Sequence, residues 1–175
     1  LCFSRERESL ADAVAKLLIQ EKMSVGTAES CTGGLLGKML TDTPGSSRYF
    51  LGGVVSYANA AKESLLGVNK KILLRHGAVS EACVRRMAES IRKRLSADFA
   101  LAISGVAGPG GGNEMKPVGT TYVALSTPER TRTMHQVILR GQGSRDQNRI
   151  LAAHLALDAL RTELLGFHEN GIPVN

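Results

Sequence analysis

The chain has 175 residues, of which 43% are hydrophobic and 22% are charged. These proportions are typical of a globular protein. The length suits one domain that can bury a full core. No apolar run approaches the roughly 18 residues of a membrane-spanning helix, and the first residues lack the pattern of a signal peptide. Three cysteines without a paired arrangement favour a reducing compartment. We therefore expect a cytoplasmic protein without a membrane partner, folded as one domain over residues 1–175 with a core at about 6–165.

The charge balance favours an anionic partner. The net charge is +6 and the pI is near 9.5, which suits nucleic acid, phosphorylated metabolites or acidic surfaces. Only 4% of the residues are aromatic, and tryptophan is absent, so few rings are available for base stacking. The densest basic cluster, at residues 85–94, has the spacing of a solvated helix face. The composition therefore disfavours nucleic acid as the partner.

Hydrophobic periodicity in the first half of the chain predicts helices alternating with strands. Apolar residues at helical spacing indicate a first helix over Glu6–Lys22. A short, partly alternating segment and a segment rich in aromatic and β-branched residues indicate strands. Short helices follow the second strand. These further elements are predicted at Ser24–Glu29 (strand), Leu35–Leu40 (helix), Phe50–Tyr57 (strand), Ala60–Leu66 (helix) and Lys70–His76 (helix).

The second half begins with an amphipathic helix and ends with a long one. Ser80 is a candidate N-cap for the helix ending at Leu95. Asp98–Ser104 is an apolar run that fits a buried central strand. Thr121–Ser126 and Thr131–Arg140, joined by a turn, fit an antiparallel hairpin. Ser144 and Gln147 form a capping box for a helix to about Leu165, which Gly166 should end. Phe167–Asn175 is predicted to have little structure.

The first candidate site is the turn Ser30-Cys31-Thr32-Gly33-Gly34 between a strand and a helix. Such a turn exposes backbone N–H groups that can hold an anion or a developing oxyanion. Thr32 is a candidate helix cap, and the two glycines would let a ligand approach the backbone. The alternative is a tight turn that merely needs glycine. Cys31 is either a nucleophile or, more commonly for such a residue, a small buried thiol.

The second candidate site is Gly45–Lys62, which holds the serine pair Ser46-Ser47 and ends with Tyr57 and Lys62. Lys62 falls in the first turn of a predicted helix, where the macrodipole lowers the pKa of a cation. A neutral lysine amine is a competent general base for a serine. The alternative is an exposed lysine whose head group reaches into water.

The third candidate site is the glycine-rich loop Gly105–Gly112 after the predicted central strand. A loop in this position commonly binds a ligand in α/β proteins, although its composition also suits a flexible surface loop. Arg145 and Arg149 lie near the start of the last helix, where cations are disfavoured unless they share an anion. They are candidate phosphate ligands or ordinary surface residues. The four histidines show no metal-ligand spacing.

Three motifs, in order, resemble one family. They are T-A-E-S-C-T-G-G (Thr27–Gly34), G-S-S-R-Y-F-L-G-G-V-V-S-Y-A-N-A-A-K (Gly45–Lys62), and I-S-G-V-A-G-P-G-G-G with K-P-V-G-T (Ile103–Thr120). Together they resemble the CinA C-terminal domain family, the PncC-type nicotinamide mononucleotide deamidases, in their stand-alone form. The resemblance implies an α/β fold: a single three-layer α/β/α domain with a mixed, mostly parallel sheet. It also implies a homo-oligomer and no metal or organic cofactor.

The implied reaction is hydrolysis of the carboxamide of nicotinamide mononucleotide (NMN) to nicotinate mononucleotide and ammonia, in pyridine nucleotide salvage. The resemblance makes Ser47, Lys62, Ser30 and Tyr57 the catalytic candidates. We expect Ser47 to attack the carboxamide carbon while Lys62 accepts its proton, directly or through Tyr57 or Ser30, although Ser30 has the better local geometry for an exposed nucleophile. The substrate-binding candidates are Thr32, Gly33, Gly34, Gly105, Ala107, Gly108, Thr120 and Arg145. Competing hypotheses are a different amide or nucleotide hydrolase, and a non-catalytic nucleotide-binding or DNA-associated competence or damage-inducible protein.

Overall fold

The computed structural model describes residues 8–170, which form a single α/β domain around one five-stranded sheet. The strands are β1 (Val25–Glu29), β2 (Phe50–Val55), β3 (Phe99–Gly105), β4 (Thr120–Ser126) and β5 (Thr131–Val137). The helices are α1 (Leu10–Gln20), α2 (Leu35–Asp42), α3 (Asn59–Leu66), α4 (Lys70–His76), α5 (Glu81–Leu95) and α6 (Arg145–Asn170). Two 3₁₀ turns, Ser46–Arg48 and Ile138–Gly141, precede β2 and follow β5.

The strand order is β2-β1-β3-β4-β5. β1 pairs in parallel with both β2 and β3, whereas β4 is antiparallel to β3 and to β5. Four of the five strands therefore run in one direction. This arrangement confirms the predicted mixed, mostly parallel sheet and the hairpin that closes it.

Helices cover both faces of the sheet and give the predicted three layers. One apolar core joins α1, α2 and α6 to the first face, with Val14, Leu36 and Leu157 fully buried. The other core joins α3 and α5 to the second face, with Leu66 and Met87 at its centre. The inner strand β3 is buried on both faces, as expected for a strand between two helical layers. No helix among residues 8–170 is long and apolar enough to cross a membrane.

Several boundaries differ from the sequence prediction. Helix α1 begins at Leu10, where Ser9 and Asp12 form a capping box; Glu6 and Arg7 of the predicted helix lie outside the described residues. Helix α6 continues through Gly166 to Asn170, so the predicted stop at Gly166 was wrong, because one glycine costs a helix only about 1 kcal/mol. Residues 171–175 of the predicted tail are not described.

The end of the hairpin also differs. β5 stops at Val137 rather than continuing to residue 140, because the chain turns into a 3₁₀ segment in which Leu139 has a φ of 50°. Ser80 caps α5 and the Ser144–Gln147 capping box is present, as predicted.

Candidate active site

The carboxyl ends of the three parallel strands meet at one edge of the sheet and bring the candidate segments together. Ser30 follows β1, Ser56 and Tyr57 follow β2, and the glycine-rich loop follows β3. Main-chain hydrogen bonds continue past the strand ends, since Ser30 N donates to Ile103 O at 3.0 Å and Ser56 N donates to Glu29 O at 2.8 Å. The sheet itself therefore fixes the backbone on which the site is built.

Lys62 lies at the centre of this edge and is only 1% exposed. Helix α3 directs its side chain back towards the strand ends. Its Nζ lies 3.0 Å from Ser30 Oγ, 2.7 Å from Ser56 O and 3.1 Å from Tyr57 O. The alternative of a solvent-exposed lysine was therefore wrong.

The three partners of Nζ define where its protons lie. A carbonyl oxygen can only accept, so two N–H groups must point to Ser56 O and Tyr57 O. The remaining tetrahedral position of the nitrogen points to Ser30 Oγ. In the neutral amine this position holds the lone pair, which can accept the hydroxyl proton of Ser30. In the ammonium form it holds a third N–H, which can donate to the same oxygen.

The surroundings of Lys62 favour the neutral amine. Burial lowers the pKa of Lys62 from its ordinary value of 10.5, because the charged form loses its hydration. Among residues 8–170, no carboxylate forms an ion pair with it. The first turn of α3 also directs the positive end of the helix dipole towards the amine.

Cys31 and Cys83 do not supply a compensating negative charge to Lys62. Burial raises the pKa of each thiol to about 11. Both thiols are therefore neutral near pH 7. This environment agrees with Cys31 as a small buried thiol rather than an activated nucleophile.

Glu29 occupies the helix N-terminus that the sequence suggested as an anion site. Its buried carboxylate accepts from Gly34 N at 3.0 Å, Leu36 N at 3.1 Å and Gly37 N at 2.8 Å. These three N–H groups therefore bind Glu29 and are not available to a ligand. The positive end of the helix dipole stabilises a carboxylate in this position. The predicted cap, Thr32, does not cap α2; its Oγ1 is buried without a hydrogen-bond partner.

Thr32, Gly33 and Gly34 accordingly do not line the cavity beside Ser30. Gly33 N instead donates to Ser30 O at 3.1 Å and closes the turn. The prediction that these three residues bind the substrate does not fit the geometry, because the helix terminus already holds Glu29. Ser30, in contrast, borders the cavity directly.

Ser47 lies before the amino-terminal end of β2, whereas the site lies at the carboxyl ends of the strands. It is exposed in the 3₁₀ turn before β2, whereas Lys62 follows the other end of the same strand. A six-residue strand spans roughly 20 Å, so Ser47 cannot transfer a proton to Lys62 in this structure. The predicted Ser47–Lys62 pair is therefore replaced by Ser30–Lys62.

A cavity of about 290 Å³ opens beside the Ser30–Lys62 pair. Of the predicted binding residues, Gly105, Ala107, Gly108 and Arg145 line it. Thr120 does not: it is fully buried behind the loop, and its O accepts from Val106 N at 2.8 Å. The cavity lining also includes Cys31, Tyr57, Asn59, Ala78, Val79, Ser104, Val106, Gly110 and Gly111.

Arg145 and Tyr57 meet beside this cavity. Arg145 Nη2 donates to Tyr57 Oη at 2.7 Å, and Nη1 donates to Gly108 O at 2.8 Å. Tyr57 is 57% exposed. Its hydroxyl thus contacts Arg145, while its backbone carbonyl contacts Lys62. This arrangement places a fixed cation beside the cavity and gives the tyrosine hydroxyl no described contact with the lysine amine.

Sequence reasoning missed Glu29, Ser56 and the loop at Ala78–Val79. Glu29 carried a usable signal, since a carboxylate at the end of an otherwise apolar strand needs a partner. Ser56 contributes its backbone carbonyl, which any residue could supply, and residues 78–79 gave no signal of their own. Within the described part of the chain, no group of three or more histidine, cysteine or acidic residues could hold a metal ion.

The fold and site define an α/β protein in which a buried lysine contacts a serine at the carboxyl edge of parallel strands. The model of the CinA C-terminal domain matches residues 7–164. A CinA-like protein of Gloeobacter violaceus is 46% identical over 171 residues, covering 98% of this chain and 40% of its own length. One from Desulfosudis oleivorans is 48% identical over 163 residues, covering 93% of this chain and 39% of its own length.

Solved structures show the same relationship. A competence-damaged protein (CinA) superfamily protein from Klebsiella pneumoniae 700603 aligns with a TM-score of 0.85 at 36% identity, covering 90% of this chain and 96% of that one. One from Escherichia coli aligns with a TM-score of 0.81 at 31% identity, covering 89% and 88%. The chain belongs to the CinA C-terminal domain family. It spans about two-fifths of the length of the curated relatives it matches.

Proposed function

We propose that this domain hydrolyses the carboxamide of nicotinamide mononucleotide by a serine–lysine mechanism. The observation that carries the proposal is the 3.0 Å contact between Lys62 Nζ and Ser30 Oγ. A nucleophile and a base within hydrogen-bond reach, with the base oriented by further groups, is the arrangement that activates a serine. Here the orienting groups are the carbonyls of Ser56 and Tyr57.

In the first half of the reaction, Ser30 Oγ attacks the carboxamide carbon and its proton moves to Lys62 Nζ. The new C–O bond gives a tetrahedral oxyanion, for which backbone N–H groups of the Ala107–Gly108 segment are the proposed donors. Lys62 then gives its proton to the amide nitrogen. The C–N bond breaks, ammonia leaves, and an ester on Ser30 remains.

In the second half, a water molecule takes the place of ammonia beside Lys62. The neutral amine accepts a proton from the water, whose oxygen attacks the ester carbon. When the tetrahedral species collapses, the C–O bond to Ser30 breaks and Lys62 returns the proton to Ser30 Oγ. The product forms as a carboxylic acid, releases its remaining proton to solvent and leaves as the carboxylate, and both residues regain their starting protonation states.

Cavity size and charge support a mononucleotide substrate. A volume of about 290 Å³ lies at the lower end of small-ligand sites. Arg145 supplies a planar cation that can pair with a phosphate. The net charge of +6 would attract such an anion from solution. The proposed reaction needs no nucleic acid, membrane or cofactor. The proposal retains the expectation that the chain forms a homo-oligomer in the cytoplasm.

The test is to incubate the purified chain with NMN and to follow ammonia and nicotinate mononucleotide. The variants Ser30→Ala and Lys62→Met should each lose at least about 10³-fold in kcat, since the two residues act as one unit. Ser47→Ala is the matched control, because it also removes a serine hydroxyl, but from an exposed position at the opposite end of β2 from Lys62. We expect it to retain wild-type kcat.

The outcome distinguishes the competing functions. A folded wild-type chain that does not turn over NMN would overturn the NMN assignment. Salt-dependent binding to DNA would then support the hypothesis of a non-catalytic, DNA-associated protein. Turnover of another amide in place of NMN would retain the mechanism and replace the substrate. Loss of turnover in Ser47→Ala with full activity in Ser30→Ala would overturn the choice of nucleophile.

A further inference from the structure

The first turns of α6 contact three segments around the Ser30–Lys62 pair: Tyr57, the glycine-rich loop and the turn that follows Ser30. Arg145 donates to Tyr57 Oη and to Gly108 O, as described above. Asn148 Nδ2 donates to Ala107 O at 3.0 Å. Arg149 donates to Thr32 O, in the turn that carries Ser30. One rigid helix end thus holds segments that lie far apart in the sequence.

Arg149 donates two hydrogen bonds to one backbone carbonyl. Its Nη2 lies 2.7 Å and its Nε 3.3 Å from the same carbonyl oxygen, Thr32 O. Its Nη2 also lies over Gly33, 3.6 Å from where a Cβ would be. Among residues 8–170, Arg149 forms no ion pair with a carboxylate. The guanidinium therefore binds the backbone of the turn rather than a carboxylate.

The turn is held from both sides. Glu29 accepts N–H groups where α2 begins, and Arg149 donates to the carbonyl of Thr32 inside the turn. Between them, Gly33 N closes onto Ser30 O at 3.1 Å. Ser30 Oγ has to stay within hydrogen-bond reach of Lys62 Nζ for proton transfer. Rotation of the turn would move Ser30 Oγ relative to Lys62 Nζ and disturb the 3.0 Å contact between them.

We propose that Arg149 is a positioning residue that holds the Ser30–Gly33 turn so that Ser30 Oγ faces Lys62 Nζ. The proposal rests on the proposed function for its catalytic consequence. It assigns Arg149 a role unlike that of Arg145, one helical turn away: Arg145 binds the substrate, whereas Arg149 contacts no substrate and acts through the nucleophile.

The kinetic test compares Arg149→Met, Arg149→Lys and the control Arg161→Met. Arg161 lies on the same helix and pairs with Asp158 in its own turn, away from the cavity lining, so its loss should leave kcat unchanged. Arg149→Met should lower kcat about 100-fold with KM within about twofold, because a displaced nucleophile affects the chemical step rather than binding. Arg149→Lys should recover only part of the loss, since an ammonium cannot direct two N–H groups to one oxygen from a planar fork.

Chemical rescue separates positioning from general loss of packing. In Arg149→Ala, free guanidinium ion can occupy the vacated space and donate to Thr32 O. We expect guanidinium, at concentrations that leave the chain folded, to raise kcat of this variant at least about tenfold. Methylammonium should do so less. A purely structural role for the arginine would give no such selective rescue.

A measurement without substrate keeps this inference separate from the NMN proposal. Hydrogen exchange of the amides at residues 31–35 should accelerate at least about tenfold in Arg149→Met relative to Arg161→Met. Labelling of Ser30 by a fluorophosphonate should slow in the same variant. If the wild type fails to turn over NMN, these two readouts still decide the role of Arg149.

Unchanged exchange and unchanged labelling would overturn the proposal. So would a rise in KM that accounts for the whole loss of kcat/KM in Arg149→Met, because Arg149 would then bind substrate as Arg145 does.

Discussion

Replacing Lys62 by methionine tests whether the folded chain holds this lysine as a buried amine with a lowered pKa. Burial lowers its pKa below 10.5 in the folded chain, and unfolding returns it to the ordinary value. Between these two values, the unfolded chain binds a proton that the folded chain lacks. The free energy of unfolding therefore rises with pH across this window. Methionine keeps a similar length and removes the titration.

The magnitude follows from proton linkage. One proton of difference corresponds to a limiting slope of about 1.4 kcal/mol per pH unit. The wild-type stability minus the Lys62→Met stability should rise with pH by up to this slope, starting near the lowered pKa and levelling off above 10.5. The favourable contribution of Lys62 is complete above the unfolded pKa and is lost as pH falls through the folded pKa. Below the folded pKa, both states carry the proton and the difference is again constant.

The assay is urea unfolding of both chains at a series of pH values from neutral to above 10.5. Lys38→Met is the matched control, because the Lys38 side chain is 65% exposed and pairs with Asp42 on the surface. Its stability difference should stay nearly constant. A constant difference for Lys62→Met over the same range would refute the reasoning that Lys62 is a buried general base.

Three further predictions address the residues around the Ser30–Lys62 pair. Glu29→Gln should lower the free energy of unfolding, measured in urea, by about 3 kcal/mol. An amide nitrogen would then face N–H groups that now donate to a carboxylate. A decrease below about 0.5 kcal/mol would contradict this. Cys31 should resist iodoacetamide in the folded chain at mildly alkaline pH, since burial raises the pKa of its thiol to about 11; rapid labelling in a peptide map would be evidence against its burial. Arg145→Met should raise KM for NMN at least about tenfold with a smaller effect on kcat, and an unchanged KM would exclude Arg145 from phosphate binding.

Local sequence patterns were sufficient to predict most elements of the fold. The α5 periodicity with its Ser80 cap, the hairpin of β4 and β5, and the capping box at Ser144 each depend on residues close together in the chain. Such short-range preferences are where sequence reasoning works best. The predicted end of α6 at Gly166 was wrong, because one glycine costs a helix only about 1 kcal/mol and the helix continues through it.

The site was harder to predict because contacts there join distant parts of the sequence. Ser47 is 15 residues from Lys62 and Ser30 is 32 residues away, yet Ser30 is the serine in contact. Strand β2 lies between Ser47 and Lys62 and carries the chain across the sheet. The parallel pairing of β1 with β2 then returns Ser30 to the lysine. Sequence distance was therefore the wrong measure of proximity.

The helix that organises the cavity is the last helix of the described chain, which affects when the site can form. A ribosome completes Ser30 and Lys62 long before it reaches residues 145–149. Until then, the loops around the Ser30–Lys62 pair lack the donors that Arg145, Asn148 and Arg149 provide. A prematurely terminated chain would hold Ser30 and Lys62 without the helix whose side chains contact the surrounding loops. The order of synthesis thus delays assembly of the proposed site until α6 has been made.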